Sequence, residues 1–283
     1  MKIAWIGTGV MGYPMVNHLI EAGYEAAVYN RTISKTNGLN ARICTSIKEV
    51  VKDAEIIFTM VGYPNDVKET YSKILRYANR GSICVDMTTS DPKLAITLAQ
   101  KAKRKGLVML DAPVSGGDIG AQKGTLSIMV GGDKNTYEKV VPLFEKLGTS
   151  IHYLGESGSG QYCKMANQIV VASNLAAVSE AISYAQAVNI DPEKMLNAIS
   201  GGAAGSWQVS NNGPKILKED YKAGFYIHHF IKDLKLVDKS AAKAKLKLES
   251  SHIVLKNLQK YVKKHPEGAQ LGTQAYIESL KKD

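Results

Sequence analysis

The chain has 283 residues, of which 45% are hydrophobic and 22% are charged, a composition typical of globular proteins that are long enough for two domains. No apolar run reaches the length of a membrane span, and a strand pattern begins at Lys2, so we expect neither a membrane segment nor a signal peptide. The three scattered cysteines, Cys44, Cys84 and Cys163, indicate reduced thiols and a cytoplasmic location, and they exclude a disulfide framework and a cysteine metal site.

The formal net charge is +10, and many of the lysines crowd the C-terminal part of the chain. Such a surface could bind nucleic acid, or it could consist of solvated helix faces. No interleaved aromatics and no recognition-helix motif accompany these lysines, so we expect no nucleic-acid partner. The positive field would attract an anionic cofactor or substrate.

The first predicted element is an apolar strand over residues 2–6, which runs directly into a glycine-rich turn. The turn reads Gly7-Thr8-Gly9-Val10-Met11-Gly12, and an amphipathic helix pattern follows over residues 10–22. Gly7 allows the tight turn, Gly9 leaves room for a pyrophosphate, and Gly12 lets the helix pack closely on the strand. Because the N–H groups at a helix start attract phosphate, the pattern predicts a dinucleotide site.

Strand patterns and helix patterns then alternate along the first half of the chain. The predicted strands are 25–29, 55–61, 82–87, 107–111, 126–130 and 150–154, and the predicted helices are 47–52, 65–78, 92–105 and 135–147. This alternation predicts an α/β domain over residues 1–160, with a Rossmann-type, mostly parallel sheet covered on both faces.

The pattern changes after a glycine-rich stretch at residues 155–160. Residues 161–188 form one long helix pattern that is apolar on most faces, which is typical of a helix buried between partners. Helix patterns continue at residues 192–199, 231–244 and 250–263, without a convincing strand. The sequence therefore predicts an all-helical second domain over 161–283, joined to the first by the long interdomain helix, and it favours a homodimer or homotetramer.

The segment after the second predicted strand bears on the choice of dinucleotide. An Asp or Glu at this place binds the ribose 2′-hydroxyl of NAD, whereas an Arg accommodates the 2′-phosphate of NADP. Here the segment reads Asn30-Arg31-Thr32, with Lys35 one turn later and no carboxylate. An ordinary polar loop is the alternative, but the spacing from the glycine turn favours NADP over NAD.

Hydride chemistry needs a group that exchanges a proton, and Lys164 is the candidate. It lies in the first turn of the long apolar helix, where burial can lower the pKa of a lysine towards the working range. The alternative is a lysine that extends to solvent at a helix end. Asn167 and Gln168 follow on the same helical face and could hold a substrate carboxylate or hydroxyl.

Two other patterns are candidates for the site. Ser115, Gly116 and Gly117 follow the fifth predicted strand and offer a hydroxyl and consecutive backbone N–H groups, a nest for a carboxylate. The alternative is a connection without a ligand. Lys232 and Asp233 are adjacent in a helix pattern, so they need not pair with each other. Taken alone, that pattern favours a solvated helix start.

Together these motifs resemble the β-hydroxyacid dehydrogenase family, which includes 3-hydroxyisobutyrate dehydrogenase, tartronate semialdehyde reductase and glyoxylate/succinic semialdehyde reductases. The resemblance covers nearly the whole chain and rests on residues 6–15, 30–32, 111–126, 158–164 and 232–234. It implies an NADP-dependent oxidoreductase that interconverts a small β-hydroxy acid and its semialdehyde.

The resemblance also implies roles for the matching residues. Lys164 matches the family's catalytic lysine, which acts as general acid/base. The substrate would contact Ser115, Gly116, Gly117, Asn167, Gln168, Phe225 and Asp233. The cofactor would contact the glycine turn and eight further residues, namely Asn30, Arg31, Thr32, Lys35, Met60, Val61, Thr89 and Lys232.

Some segments point to one branch of the family and others depart from its pattern. The pair Asn167-Gln168 and the segment 201–206 look like tartronate semialdehyde reductases. The segment 61–64 departs from the more usual Leu-Pro loop, and 271–275 lacks an Asp that many members place nearby, so the substrate is not assigned. One alternative is an imine reductase of the same architecture, and another is a non-catalytic dinucleotide-binding module. Lys164 argues against both, and the carboxylate loop argues against the second.

Overall fold

A computed structural model describes residues 1–281. The chain divides into two compact units, one of residues 1–164 and one that begins at Met165. The division falls inside one continuous helix, Ser159–Ala187. None of the helices in the described range has the length and hydropathy needed to cross a membrane.

The first unit is built on a nine-stranded sheet. Its strands β1 to β9 span Lys2–Ile6, Glu25–Tyr29, Arg42–Ile43, Ile56–Thr59, Ile83–Asp86, Val108–Asp111, Val114–Ser115, Leu126–Gly131 and Gly148–Gly155. The strand order is β3-β2-β1-β4-β5-β6-β8-β7, and β9 pairs with β8. The six strands from β1 to β6 pair in parallel, whereas β8 runs antiparallel to β6 and β7. The predicted mostly parallel sheet is thereby confirmed.

The helices of this unit connect the strands. They are α1 to α6, over Gly12–Glu21, Ile47–Val50, Pro64–Tyr77, Pro92–Arg104, Gly117–Lys123 and Lys134–Phe144, with a 3-10 turn at Ile33–Thr36. Local sequence fixes several of their starts. For example, the side chain of Asp91 accepts a hydrogen bond from the N–H of Lys93, and Pro92 occupies the first helical position of α4.

Both faces of the sheet carry a hydrophobic core, as a parallel sheet requires. Along β1, Ile3 and Trp5 point to one core while Ala4 and Ile6 point to the other, which is the two-residue period of a strand. Trp5 stacks on Phe58 with 5.2 Å between ring centroids. The indole N–H of Trp5 donates to the carbonyl oxygen of Gly7 at 2.9 Å, so this core also holds the turn after β1.

The strand register brings the carboxyl ends of five strands into one row. Across the sheet, the aligned residues are Tyr29, Ile6, Thr59, Asp86 and Asp111. The strand order reverses between β1 and β4, and open parallel sheets bind ligands at the carboxyl ends beside such a reversal. The loops that carry the candidate cofactor residues start at this edge.

The described part of the second unit is helical, apart from one bridge pair between Tyr226 and Gly272. The long helix α7, Ser159–Ala187, continues into it and is followed by α8 to α11, over Pro192–Ser200, Gly213–Leu217, Ile227–Lys243 and Glu249–Lys264. A π turn spans Gln208–Asn212, and 3-10 turns span Pro266–Gln270 and Thr273–Leu280. Its largest core contains Phe230, Leu258 and Tyr276, all fully buried.

Within the single chain, the long helix is buried on one side only. In α7, Leu175 and Ile182 are fully buried, but the other side exposes Tyr162, Val170 and Tyr184, which are 45%, 58% and 68% exposed. Apolar and small residues fill both sides of this helix, so composition could not tell the core side from the surface side. Large apolar side chains left exposed in this way are typical of protein–protein contacts.

Candidate active site

The glycine turn has the geometry that requires glycine at two of its positions. Gly7 has φ +101°, and a Cβ there would lie 2.2 Å from the carbonyl oxygen of Met60. A Cβ on Gly12 would lie 2.0 Å from the carbonyl oxygen of Gly7. A Cβ on Gly9 would meet nothing within 4 Å, so the backbone there borders open space. The turn is therefore compact inside and accessible at Gly9, as an approaching phosphate needs.

The side chain of Asn30 ties this turn to the segment after β2. Its Oδ1 accepts from the N–H of Thr8 at 3.0 Å, and its Nδ2 donates to the carbonyl oxygen of Thr32 at 2.8 Å. The hydroxyl of Thr8 is buried and has no hydrogen-bond partner among residues 1–281. A buried polar atom without a partner is costly, and a bound phosphate oxygen would satisfy it. The turn therefore fits a dinucleotide.

Arg31 lies next to a carboxylate that the sequence did not point out. The Arg31 side chain is 85% exposed, and its Nη1 lies 3.6 Å from Oδ1 of Asp66. Asp66 stands in the first turn of α3, where its other oxygen accepts from the N–H of Tyr63 at 3.0 Å. Lys35 is exposed in the 3-10 turn Ile33–Thr36. Arg31 and Lys35 are thus accessible cations, and Asp66 partly neutralises the first.

Hydrogen bonds join the loops after β4 and β5. The hydroxyl of Thr88 accepts from the N–H of Val61 at 3.0 Å, and Oδ1 of Asp86 accepts from the Thr59 hydroxyl at 2.9 Å and from the N–H of Thr88 at 3.2 Å. Burial raises the pKa of Asp86 to about 6, although the bonds from Thr88 and Thr59 act in the opposite direction. Met60, Val61 and Thr89 are half-buried at this edge.

Asp111 fixes the start of α7 to the end of β6. Its two carboxylate oxygens accept from the N–H groups of Gly158 at 2.6 Å and Gln161 at 2.9 Å. Burial raises the pKa of Asp111, and these backbone bonds oppose the rise. A Cβ on Gly160 would lie 2.3 Å from the carbonyl oxygen of Met129, so the helix start packs directly against the sheet. Lys164 follows one turn later and is buried, with 6% exposed.

The segment Ser115-Gly116-Gly117 forms the end of β7 and the start of α5. Gly116 and Gly117 have φ +132° and +64°, conformations that residues other than glycine rarely adopt. Ser115 is half-buried and Gly116 is exposed. The loop therefore presents its hydroxyl and backbone at the surface of the first unit.

In the second unit, hydrogen bonds join three of the predicted residues in a chain, and Lys232 forms an ion pair with the last of them. Asn167 Nδ2 donates to Gln168 Oε1 at 2.7 Å, and Gln168 Nε2 donates to Asp233 Oδ2 at 2.8 Å. Lys232 Nζ lies 3.1 Å from Asp233 Oδ1, with the two side chains 11% and 3% exposed. Taken alone, the sequence pattern favours a solvated helix start at Lys232-Asp233, and that expectation is wrong because both side chains are buried and form an ion pair.

Phe225 and His229 precede Lys232 in the sequence. The Phe225 ring packs edge-on against Phe230 at 5.5 Å between centroids, and its carbonyl oxygen accepts from the N–H of Thr273. Burial, together with the charges of His228 and Lys232, lowers the pKa of His229 to about 4. His229 is therefore neutral at physiological pH.

The comparison with protein families assigns both halves of the chain. Residues 2–155 match the NAD binding domain of 6-phosphogluconate dehydrogenase, and residues 158–280 match the NAD-binding domain of NADP-dependent 3-hydroxyisobutyrate dehydrogenase. The chain belongs to the β-hydroxyacid dehydrogenase family. It is an NAD(P)-dependent β-hydroxyacid dehydrogenase, as the family resemblance implied.

Individual β-hydroxyacid dehydrogenases cover most or all of the chain. A probable 3-hydroxyisobutyrate dehydrogenase-like protein of Arabidopsis thaliana is 43% identical over 99% of this chain and 85% of its own length. The 2-hydroxy-3-oxopropionate reductase of Escherichia coli is 39% identical over 89% of this chain and 88% of its own. The solved 3-hydroxyisobutyrate dehydrogenase of Mycobacterium tuberculosis, described with L-serine, has TM-score 0.92 at 28% identity and covers 99% of both chains.

Several polar residues at this candidate site of the β-hydroxyacid dehydrogenase were not singled out from the sequence, namely Asp66, Asp86 and Gln161. An acidic residue inside the apolar strand pattern 82–87 was an available signal for Asp86. Within residues 1–281 there is no group of three or more His, Cys, Asp or Glu side chains suited to a metal ion.

Proposed function

We propose that the protein is an NADP-dependent oxidoreductase that interconverts a small β-hydroxy acid and its semialdehyde, with Lys164 as general acid/base. The observation that carries the proposal is the burial of Lys164, 6% exposed, one turn beyond a helix start that Asp111 bonds to the end of β6. In a β-hydroxyacid dehydrogenase, an ammonium group held at the carboxyl edge of the sheet is suited to proton exchange.

The choice of NADP rests on the charges after β2. Arg31 offers a planar set of donors for a 2′-phosphate, and Thr32 and Lys35 lie in the same segment. The family description matched by residues 158–280 names an NADP-dependent enzyme, which supports the same choice. The turn from Gly7 to Gly12 would hold the pyrophosphate.

Further contacts to the cofactor are proposed for the neighbouring loops. Met60, Val61 and Thr89 would contact the ribose and nicotinamide portions, since their loops leave the sheet beside the glycine turn. In the second unit we assign Lys232 to the cofactor, and Asn167, Gln168, Phe225 and Asp233 to the substrate. The hydrogen bonds among Asn167, Gln168 and Asp233 would hold their side chains in one orientation.

The bound dinucleotide would supply the hydride that is exchanged with the substrate carbon. The hydroxyl of Ser115 and the N–H groups of Gly116 and Gly117 would bind the substrate carboxylate and align the carbonyl group. In reduction, Lys164 Nζ would donate its proton to the carbonyl oxygen, which becomes the hydroxyl. In oxidation, the neutral amine would take that proton back.

Steady-state kinetics of the Lys164→Met variant test this proposal. Methionine keeps the length and apolar stem of the side chain but carries no proton, so kcat should fall by about 10²–10⁴-fold while the dinucleotide still binds. The matched control is Lys103→Met, which changes an exposed lysine on α4. Near-normal turnover by Lys164→Met would refute the assigned role.

The substrate panel contains tartronate semialdehyde, glyoxylate and succinic semialdehyde, each with NADPH and with NADH, and a cyclic imine. We expect turnover of at least one semialdehyde or of glyoxylate, with a lower KM for NADPH than for NADH. Turnover of the imine alone would favour an imine reductase, and no turnover at all would favour a module that only binds dinucleotides.

We also propose that the protein acts in the cytoplasm as a homodimer or homotetramer. The buried free thiols of Cys44 and Cys84 support a reducing compartment.

The exposed Tyr162, Val170 and Tyr184 on α7 support a contact between two copies. Sedimentation of Val170→Glu tests the contact, because a charge placed there should dissociate the oligomer. If the mass of the Val170→Glu oligomer were unchanged, the contact between copies would not lie on this side of α7.

A further inference from the structure

The loop after β5 is held in place by hydrogen bonds of Thr88 to the loop after β4 and to the end of β5. Thr88 accepts from the N–H of Val61 through its hydroxyl and donates its own N–H to Asp86. Thr89, proposed to lie near the nicotinamide, is the next residue. The loop thus fixes one side of the proposed reaction, the side that holds the cofactor.

Gln161 binds the same loop on both sides of Thr89. Its Nε2 donates to the carbonyl oxygen of Thr88 at 2.7 Å, and its Oε1 accepts from the N–H of Ser90 at 2.8 Å. The side chain is fully buried, with 0% exposed. Its backbone N–H is also fixed, because it donates to Asp111 at 2.9 Å. Donor, acceptor and backbone of Gln161 are therefore all used within the first unit.

Lys164 lies three residues after Gln161 on α7, and residues at this spacing share one face of a helix. A shift of the helix start relative to the loop would therefore move Lys164 relative to Thr89. Misplacement of reacting groups by 1 Å can cost about a hundredfold in rate. One buried amide thus connects the loop of the proposed cofactor contact to the helical turn of the proposed proton donor.

We infer that Gln161 is a positioning residue for the reaction, which holds the loop Thr88–Ser90 in register with Lys164. This inference rests on the proposed function, since it assigns Gln161 an effect that acts through Lys164. Gln161 itself exchanges no proton and contacts no substrate. Its amide is matched to the task because one end must donate to a carbonyl while the other accepts from an N–H.

The first test is Gln161→Met, which keeps the size of the side chain and removes both hydrogen bonds. The matched control is Gln186→Met, at the exposed end of the same helix. We expect kcat of Gln161→Met to fall by about ten- to a hundredfold, with Kd for NADPH and KM for substrate changing by less than about threefold. Circular dichroism and the melting temperature establish that the variant is folded at the assay temperature.

Gln161→Glu provides a readout that a merely structural role would not move. A carboxylate keeps the acceptor for Ser90 but cannot donate to Thr88, whereas the protonated acid can do both. Activity relative to the wild type should therefore recover as the pH falls. Three titratable groups are connected to this position: Asp111 accepts from the N–H of Gln161, Asp86 accepts from the N–H of Thr88, and Lys164 follows three residues later on α7.

A double-variant cycle separates this inference from the proposed function. If Gln161 acts through Lys164, adding Gln161→Met to Lys164→Met should lower the residual rate by less than about twofold. A folded Gln161→Met variant with wild-type kcat, or a full additional loss in the double variant, would overturn the inference. Wild-type turnover by Lys164→Met would instead overturn the proposed function.

Discussion

Replacing Arg31 with alanine should weaken the binding of NADPH and leave the binding of NADH unchanged. The guanidinium is 85% exposed and is accessible to a 2′-phosphate. Hydrogen bonds to charged groups contribute about 1.5–3 kcal/mol, and exposure favours the lower end of this range. We therefore expect Kd for NADPH to rise about tenfold.

The ion pair with Asp66 predicts an effect of the opposite sign. Two unit charges at the observed 3.6 Å attract by about 1 kcal/mol in water, and exposed pairs contribute about 0.2–1 kcal/mol. Asp66→Asn should release Arg31 and tighten NADPH binding by up to about fivefold. Asparagine keeps an oxygen that can accept from the N–H of Tyr63, so the start of α3 should be preserved.

The assay is a fluorescence titration of NADPH and NADH at low and high salt, with Arg104→Ala on α4 as the matched control. The gain from Asp66→Asn should vanish when Arg31 is already alanine, and the loss from Arg31→Ala should shrink at high salt. Equal effects on both dinucleotides, or no effect on either, would refute the assignment of Arg31 to the 2′-phosphate.

Three other predictions concern stability. The pKa of Asp86 is raised to about 6, so its stabilising contribution is present below about pH 4 and is lost as the pH rises through 6. In urea unfolding, the free energy of unfolding of Asp86→Asn should not show this loss as the pH rises. Parallel pH profiles of the variant and the wild type would contradict the prediction. The pKa of His229 is lowered to about 4, so stability is lost as the pH falls from about 6.5 to 4. The His229→Gln variant should lose less stability than the wild type over this pH range. An equal loss of stability in acid would count against the prediction. Gly7→Ala should lower the melting temperature and abolish dinucleotide binding, because φ is +101° and the new Cβ would lie 2.2 Å from Met60 O; retained NADPH affinity would show that the turn adapts.

The alternating fold and its strands could be predicted because their signals are local. Residues 2–6 and 25–29 coincide with β1 and β2, and the glycine turn follows β1 directly. Two short strands, Arg42–Ile43 and Val114–Ser115, were not predicted, since two residues are too few to show a period. The short helix α5 was also not predicted, because glycines interrupt its pattern.

The contacts that organise the candidate site depend on pairs that are distant in the chain. Gln161 meets Ser90 across 71 residues of sequence, and Asp111 meets Gly158 across 47. Nothing in the local pattern of either partner indicates such a bond. The pairing of Lys232 with Asp233 was missed although the two residues are adjacent in sequence. Neighbouring side chains on a helix generally point in different directions, but these two are buried and form an ion pair.

The two hydrogen bonds of the Asn30 side chain, one with Thr8 and one with Thr32, have a consequence for redesign of the cofactor preference. Asn30 directly follows β2, near the position where an acidic residue binds the ribose 2′-hydroxyl of NAD in such folds. Here an aspartate would keep the acceptor for Thr8 but lose the donor to Thr32, so the phosphate turn would be disturbed together with the ribose contact. Under the proposed assignment of Arg31, Thr32 and Lys35 to the 2′-phosphate, a change of cofactor is better engineered at these three side chains, because the bonds from the Asn30 side chain to the backbone of Thr8 and Thr32 then stay in place.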